Sequence, residues 1–401
     1  MTKMGWWEWI MGLFVIVWDS LCQRISSVTL QPGLPTLSLS HLTCIITSCS
    51  PGIALETARH LAKSGAHVVF AVADVDAVRE LIARWEDEST GYTNPPLNCE
   101  VMKMDCLVLD SVRKFSVDWE ARKLPLNVLI NISSSSYMDG TNTKNLSRDG
   151  YEHHMQVNHL APALLSLLML PSLLRGSPSR VVMVNSVVHH IGHLDADDLN
   201  LSGNKKRWNT LTAHANSKLA QLLFSNLLQR RLPKETGIDI ICMHPGQVVN
   251  ETATGWRGII QKIQFNLFSP LEGARSLLFC VTDKQVQDYA RALRSISYPL
   301  APYFGSDCRP CAVARQVHDM HKANLVWQET LRLVGIPVEV VEEAVNESDP
   351  VDVTGDVKYM DVFPEVSNDE GLDFLLGSSN DNDDSFGGLD AQFLQTDFGH
   401  S

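Results

Sequence analysis

The sequence predicts an α/β fold built on a doubly wound parallel sheet in a single domain. Short apolar runs alternate with amphipathic segments from Leu42 onward, and this alternation is typical of parallel strands with helices on both faces of the sheet. Among the 401 residues, 44% are hydrophobic and 20% are charged. This is the composition of a globular protein, and it excludes collagen-like chains, long coiled coils and wholly disordered chains.

The predicted elements follow one another at regular spacing. In chain order they are strand 42–47, a helix from Ile53 to a stop at Gly65, strand 67–73, helix 75–87, strand 99–104, helix 110–121, strand 124–131, helix 151–174, strand 180–185, helix 212–232 and strand 238–244. Right-handed crossovers between such strands place ligands at the carboxyl ends of the strands. We therefore expect the functional residues in the segments that directly follow the strands.

The first 24 residues form a hydrophobic segment, followed by a predicted linker at 25–41 and a body at 42–340. The uninterrupted apolar run, Trp9 to Trp18, is shorter than the roughly 20 residues that span a bilayer. Tryptophan rings favour the membrane interface, and here they bracket the run at positions 6, 7, 9 and 18. We predict that the segment associates with a membrane as an anchor or an interfacial helix, with the body facing the cytosol. The alternative is a helix packed on the body.

The charge is concentrated at the carboxyl end. Residues 342–401 hold 16 acidic residues and one basic residue, so they account for −15 of a net charge of −13 and leave +2 for the rest of the chain. A body without a basic stripe excludes a nucleic-acid-binding surface. Residues 346–401 have almost no apolar periodicity, and we predict that this acidic tail is disordered. The nine cysteines are irregularly spaced, which favours reduced thiols, and we predict no metal site.

Several motifs, in this order, resemble the short-chain dehydrogenase/reductase family, specifically its retinol-dehydrogenase-like and WW-domain-oxidoreductase-like group. They are VLIN (128–131), MQVNHLAP (155–162), RVVMVNSVVHHIG (180–192), SKLAQLLFSNLLQRRL (217–232), MHPGQV (243–248), APYFGSDC (301–308) and WQETLRLVGIP (327–337). The hydrophobic amino terminus resembles the plant FOREVER YOUNG-like oxidoreductase branch. The resemblance implies a Rossmann-type doubly wound parallel sheet and an NAD(P)-dependent reaction at a carbonyl or alcohol group.

The cofactor motifs depart from the family pattern. Where the family has TGxxxGIG, only Gly52 remains, while Ser48 and Ala54 replace the other two glycines, and the NNAG motif is reduced to Asn131 followed by Ile132. These changes predict weakened but not excluded binding of NADP or NAD, with no residue that indicates which of the two is preferred. The resemblance assigns cofactor contacts to Thr47, Ser50, Gly52, Ile53, Asp105, Cys106, Asn131, Lys218, Pro245, Gly246 and Val248. A turn-capping role for Asp105 remains the alternative.

The catalytic set that the resemblance implies is Asn158, Ser186, His214 and Lys218. His214 stands where the family has its proton-transferring tyrosine, four residues before Lys218 and thus on the same helix face. A histidine can transfer protons near neutral pH, but a neighbouring lysine disfavours its charged form. We interpret the other histidines of the adjoining segments, at 153, 154, 189, 190 and 193, as surface residues.

Two functions stay open at this point. One is a membrane-associated oxidoreductase that acts on a small apolar substrate, with the segment 247–271 as a lid over the site. The other is a noncatalytic protein with a binding or regulatory role, which the losses in three separate motifs favour. The resemblance also leaves open a homodimer formed through the helices at 151–174 and 212–232.

Overall fold

One parallel sheet of seven strands forms the centre of the molecule, in the order β3-β2-β1-β4-β5-β6-β7. The computed structural model describes residues 6–29, 38–48, 52–89, 97–132, 144–195, 198–200, 209–249, 267–295 and 301–337. The strands are β1 (Thr43–Thr47), β2 (His67–Val72), β3 (Cys99–Lys103), β4 (Val128–Asn131), β5 (Ser179–Val184), β6 (Ile238–Met243) and β7 (Tyr303–Phe304). The predicted fold class is confirmed.

Helices cover both faces of this sheet. They are α1 (Trp6–Thr29), α2 (Ile53–Lys63), α3 (Val75–Ser89), α4 (Leu109–Glu120), α5 (His153–Met155), α6 (Ala161–Leu168), α7 (Leu170–Arg175), α8 (Thr210–Arg231), α9 (Pro270–Thr282), α10 (Lys284–Arg294) and α11 (Met320–Val334). A π-helical turn, Gln156–Leu160, joins α5 to α6, and short 3₁₀ turns lie at Val187–Ile191, Lys234–Thr236 and Arg315–His318.

The core lies in two layers, because successive residues of a strand point to opposite faces of the sheet. Ile45 packs with the layer beneath α4, α6, α8 and α11, whereas Ile46 packs with the layer beneath α2, α3, α9 and α10. The fully buried Trp119 and Trp327 fill the first layer. Strands buried on both faces explain why the sequence shows continuous apolar runs.

The strand order reverses between β1 and β4, since β1 pairs with β2 on one side and with β4 on the other. Ligands of doubly wound folds bind in the crevice at the carboxyl ends of the strands beside this switch point. The segments that follow β1, β4, β5 and β6 therefore meet at one edge of the sheet.

The predicted helix at 151–174 is divided into α5, the π-helical turn, α6 and α7. Pro162 lies in the first turn of α6, and Pro171 lies in the first turn of α7. Proline lacks the amide that would bond to the carbonyl four residues earlier, which for Pro162 is Asn158. The Asn158 carbonyl instead accepts a hydrogen bond of 2.8 Å from Gln221 Nε2 in α8.

Helix α1 is longer than predicted, β7 is an additional strand, and several predicted features lie outside the described residues. Helix α1 continues to Thr29, so the first residues of the predicted linker are helical. The sequence does not predict β7, because a strand of two residues is too short to show an alternation of apolar and polar residues. Ser50, the acidic tail and most of the predicted lid lie outside the described part of the chain. None of the helices that the structure describes is long and apolar enough to cross a membrane.

Candidate active site

Thr47 ties the end of β1 to the end of β4. Its hydroxyl donates to the carbonyl of Ile132 over 3.1 Å and accepts from the amide of the same residue over 3.0 Å. Both residues are buried. A hydroxyl bonded in both directions fixes the spacing of the two strand ends on either side of the switch point.

The turn after β1 keeps a backbone that is suited to an anion. Gly52 has φ 123° and ψ −141°, and nothing lies within 4 Å of the position that a Cβ would occupy there. Helix α2 begins at Ile53, directly after Gly52, which has no side chain that could cap the helix. Free amides at a helix amino terminus bind phosphate groups. Ser48, at the position of the first family glycine, has φ 57°, which is a left-handed conformation that glycine adopts more readily.

The chain forms a turn directly after β3, at residues 105–107. Asp105 Oδ1 accepts from the amide of Leu107 over 2.9 Å, so this carboxylate holds the turn. The carbonyl of Cys106 accepts from Gln156 Nε2 over 3.2 Å. Burial raises the pKa of the Cys106 thiol to about 12, and this sulfur is therefore unreactive at neutral pH.

Asn131, at the end of β4, is directed into the core. Its side chain is fully buried and its Nδ2 donates to Ser166 Oγ over 3.1 Å. The side-chain amide of Asn131 thus joins β4 to α6.

The structure brings three of the four catalytic candidates together. Asn158 Nδ2 lies 3.3 Å from His214 Nδ1 and donates to Ser217 Oγ over 2.8 Å. Lys218 follows His214 by one turn of α8. Asn158 itself lies on the π-helical turn, and such turns occur frequently at functional sites.

The hydrogen bonds around Asn158 assign the tautomer of His214. Ser217 Oγ donates to the carbonyl of His214 over 2.8 Å, so it accepts from Asn158 Nδ2. The same amide group points at His214 Nδ1, which is therefore the acceptor, and the ring proton lies on Nε2. Burial first, then Lys218 and His154, lower the pKa of His214 to about 3. His214 is thus a neutral imidazole with an Nε2–H donor.

Lys218 is buried and holds the end of β5. Its Nζ donates to the carbonyl of Val184 over 2.7 Å, and burial lowers its pKa to about 7. The side chain of Asn185 donates to the Lys218 carbonyl over 2.9 Å and accepts from the Ser186 amide over 2.8 Å. The half-buried Ser186 then begins the turn Val187–Ile191. Asn185 therefore connects the serine candidate to the helix that carries His214 and Lys218.

The interpretation of the neighbouring histidines as surface residues is wrong, because His154 and His189 are buried and those at 153, 190 and 193 are half-buried. His154 is buried, and its Nδ1 lies 3.0 Å from Oε1 of Glu152, which is fully buried. Its ring centroid lies 5.8 Å from that of His214. His189 is also fully buried, with Nδ1 2.8 Å from the carbonyl of Ser186 and Nε2 accepting from the amide of Ala314. The Glu-x-His spacing at 152–154 was the signal that could have identified the first pair.

The loop after β6 completes the edge of the site. Pro245 is buried, and Gly246 has φ 82°. Val248 pairs with Phe268 in a single parallel bridge. A Cβ at Gly273 would lie 2.6 Å from Val248 Cγ2 and 3.5 Å from Ile53 Cγ1, so the first residue of α2 and this loop border the same space.

The chain is similar to known proteins over most of its length. Residues 42–196 match the family model described as short chain dehydrogenase. The dehydrogenase/reductase SDR family member FEY of Arabidopsis thaliana is 44% identical over 86% of this chain and 92% of its own length. This chain belongs to the short-chain dehydrogenase/reductase family. Human retinol dehydrogenase 11 is 32% identical over 76% of the chain and 89% of its own length, and together these relatives place the chain in the retinol dehydrogenase group.

A solved structure supports the same fold. An uncharacterized protein from Mycobacterium paratuberculosis superimposes with a TM-score of 0.54 and 26% identity, covering 74% of this chain and 95% of that protein. The family and the fold inferred from the sequence motifs are thus confirmed.

Proposed function

We propose that this protein is an NAD(P)-dependent oxidoreductase that acts on a carbonyl or alcohol group of an apolar substrate at a membrane surface. The observation that carries the proposal is the contact of Asn158 with His214, one turn from Lys218, beside the strand end that bears Ser186. The positive φ of Gly52 and the amino terminus of α2 directly after it fit the pyrophosphate of a nicotinamide dinucleotide. That cofactor supplies the hydride.

The residues around the reacting oxygen support a reaction in which His214 acts as a neutral group. Its Nε2–H can donate a hydrogen bond to a carbonyl oxygen and so stabilise the negative charge that develops there. A pKa near 3 keeps the imidazolium unpopulated at pH 7, so direct proton delivery by a charged histidine is disfavoured. The Ser186 hydroxyl is the second donor available at this strand end. Both groups stabilise the developing alkoxide, which takes its proton from solvent water to give the alcohol.

The test begins with titration of the full-length protein with NADPH and with NADH, followed by nicotinamide fluorescence. We expect a saturable signal, followed by slow turnover with retinal-like and medium-chain aldehydes. His214→Ala should abolish turnover but leave cofactor affinity within a few fold. His321→Ala, an exposed histidine of α11, is the matched control. Turnover unaffected by His214→Ala would exclude His214 from the reaction.

A noncatalytic binding function is the second candidate. It is favoured by the left-handed Ser48 at a glycine position and by a histidine in place of tyrosine. The variant His214→Tyr separates the two candidates, because restoring a general acid raises a hydride-transfer rate by roughly 10²–10⁴-fold. We expect a gain of turnover in this variant. A wild-type protein without any NADPH or NADH binding at millimolar cofactor would instead support the noncatalytic function.

The proposal of a membrane surface rests on α1. Ten large apolar side chains of this helix are exposed. Four of them are at positions 6, 9, 10 and 17, and the other six lie on one side, namely Trp7, Met11, Phe14, Trp18, Leu21 and Ile25. Their spacing of three and four residues forms one continuous stripe along the helix. Tryptophan and phenylalanine in such a stripe favour the interface of a lipid bilayer.

A further inference from the structure

Helix α1 has its polar and apolar faces reversed relative to an ordinary surface helix. Asp19 and Gln23 point towards the body, together with Gly12, whereas the apolar stripe points outward. Gln23 is only 2% exposed. Burying an amide is unfavourable unless all its donors and acceptors are bonded. The residues that Asp19 and Gln23 contact therefore indicate the role of this face of α1.

Gln23 is bonded in both directions to one residue of the loop after β6. Its Nε2 donates to the carbonyl of Gln247 over 2.8 Å, and its Oε1 accepts from the amide of Gln247 over 2.7 Å. The side-chain amide of Gln23 thus makes the pair of hydrogen bonds with the Gln247 main chain that two neighbouring strands make in a β-sheet. The Gln247 carbonyl also accepts from the amide of Phe268 over 2.8 Å, so the loop is held between α1 and the segment that leads into α9.

Glycine permits this close approach at two positions. A Cβ at Gly246 would lie 2.7 Å from Gln23 Oε1, and a Cβ at Gly12 would lie 2.6 Å from the carbonyl oxygen of His190. The second contact seats α1 on the turn that follows Ser186. Helix α1 thus touches both segments that extend from β5 and β6 into the candidate site.

A third contact joins the helix to the beginning of the same loop. Asp19 Oδ1 lies 3.5 Å from Nε2 of the buried His244. The ring of Tyr303 stacks on the His244 ring, with centroids 5.7 Å apart. The loop at 244–247 is therefore held by α1 at its first and its last residue.

We propose that α1 is a positioning element of the active site and that Gln23 is its positioning residue, which fixes the loop at 244–248 in the conformation that borders the cofactor. On this proposal α1 has two roles on opposite faces. One face positions the loop at 244–248, and the other binds lipid. Only the consequence for cofactor affinity depends on the proposed oxidoreductase function, because the loop conformation can be measured without any cofactor.

Hydrogen exchange of the full-length protein, followed by mass spectrometry, tests the proposal directly. Gln23→Leu keeps the volume but removes both bonds, and we expect the amides at 246–249 to exchange at least about tenfold faster, which corresponds to about 1.4 kcal/mol of lost protection. Gln23→Glu keeps an acceptor for the Gln247 amide and should retain part of the protection. Leu21→Ala, on the exposed stripe of the same helix, should leave exchange at 246–249 unchanged. Unchanged exchange in Gln23→Leu would overturn the proposal.

A second variant reaches the same loop from the other end of the helix. Gly12→Leu would force α1 away from the His190 carbonyl, and exchange should then rise at 187–191 and at 246–249 while β2 stays protected. This result is expected even if Gln23→Leu folds poorly. If only 187–191 responds, α1 does not position the loop after β6, and the proposal fails.

Cofactor titration separates this proposal from the oxidoreductase function. If wild-type protein binds NADPH, Gln23→Leu should bind it about tenfold more weakly, and Leu21→Ala should bind it as wild type does. Equal affinity of Gln23→Leu and wild type would show that the loop position is irrelevant to the cofactor. If wild type does not bind NADPH, the proposed function fails, and the exchange experiment still decides the role of α1.

Discussion

At the scale of single residues, the turn after β1 has two positions with positive φ, of which one is a glycine and the other is a serine. Gly52 retains a conformation, φ 123° and ψ −141°, that residues with a side chain essentially never adopt. Ser48 occupies a left-handed conformation at φ 57°, which a serine tolerates at some cost. Positions 48 and 52 thus both have positive φ, although only the second of them is a glycine and two of the three family glycines, at 48 and 54, are replaced.

We expect Gly52→Ala to destabilise the protein by about 1–3 kcal/mol, because the strain is in the backbone and not in any clash. The open space at this position makes the prediction specific. Chemical denaturation of the variant measures it. Ser48→Gly is the companion variant, and relief of strain should offset the extra freedom of its unfolded chain to within about 1 kcal/mol. Equal stability of Gly52→Ala and wild type would contradict the described turn.

At the scale of elements, some features were predictable from the sequence and others were not. Strand and helix alternation and the motif order predicted the sheet, and His214 and Lys218 were correctly expected on one helix face. The division of the helix at 151–174 could have been inferred from Pro162 and Pro171, but the π-helical turn also depends on Gln221 in a distant helix. Contacts such as the pairing of Gln23 with Gln247 join residues 224 positions apart, and no local pattern reveals them.

The exposed stripe of α1 should decide how strongly the protein binds lipid. Replacing Phe14 and Trp18 together with serine removes two stacked rings, with centroids 6.2 Å apart, from the exposed stripe of α1. The protein should then bind phosphatidylcholine vesicles at least tenfold more weakly in a flotation assay, because buried apolar area drives such binding. Exchange at 246–249 should stay as in wild type. The control Leu124→Ser changes an exposed apolar residue far from α1 in sequence. An equal loss in the control would contradict α1 as the lipid-binding surface.

At the scale of the whole molecule, buried imidazoles make stability depend on pH. Burial lowers the pKa of His159 to about 3, that of His190 to about 4 and that of His214 to about 3. Unfolded histidines bind protons below about pH 6.5, whereas these remain neutral in the folded state. The unfolded state therefore binds more protons between pH 6.5 and about 4, and the free energy of unfolding falls as the pH falls through this range.

His159 allows this prediction to be tested apart from the site. His159→Gln can still bond Thr330, whose Oγ1 lies 2.7 Å from His159 Nε2, and it removes one titrating group. The slope of unfolding free energy against pH, measured by urea denaturation between pH 6 and 4.5, should become less steep by about one proton. The exposed His321→Gln should leave the slope of wild type. An unaltered slope in His159→Gln would show that His159 is protonated in the folded protein at these pH values.

The packing of α1 on the body also has a practical consequence for preparing this protein. Removing the hydrophobic amino terminus is an obvious step in preparing the protein, because the first 24 residues contribute no strand to the sheet. Such a chain would lose Gly12, Asp19 and Gln23 together, and with them the contacts to His190, His244 and Gln247. A shortened preparation would thus lack the contacts that hold the loop after β6. Loss of cofactor binding in such a preparation would have to be compared with the intact chain before it is assigned to the protein itself.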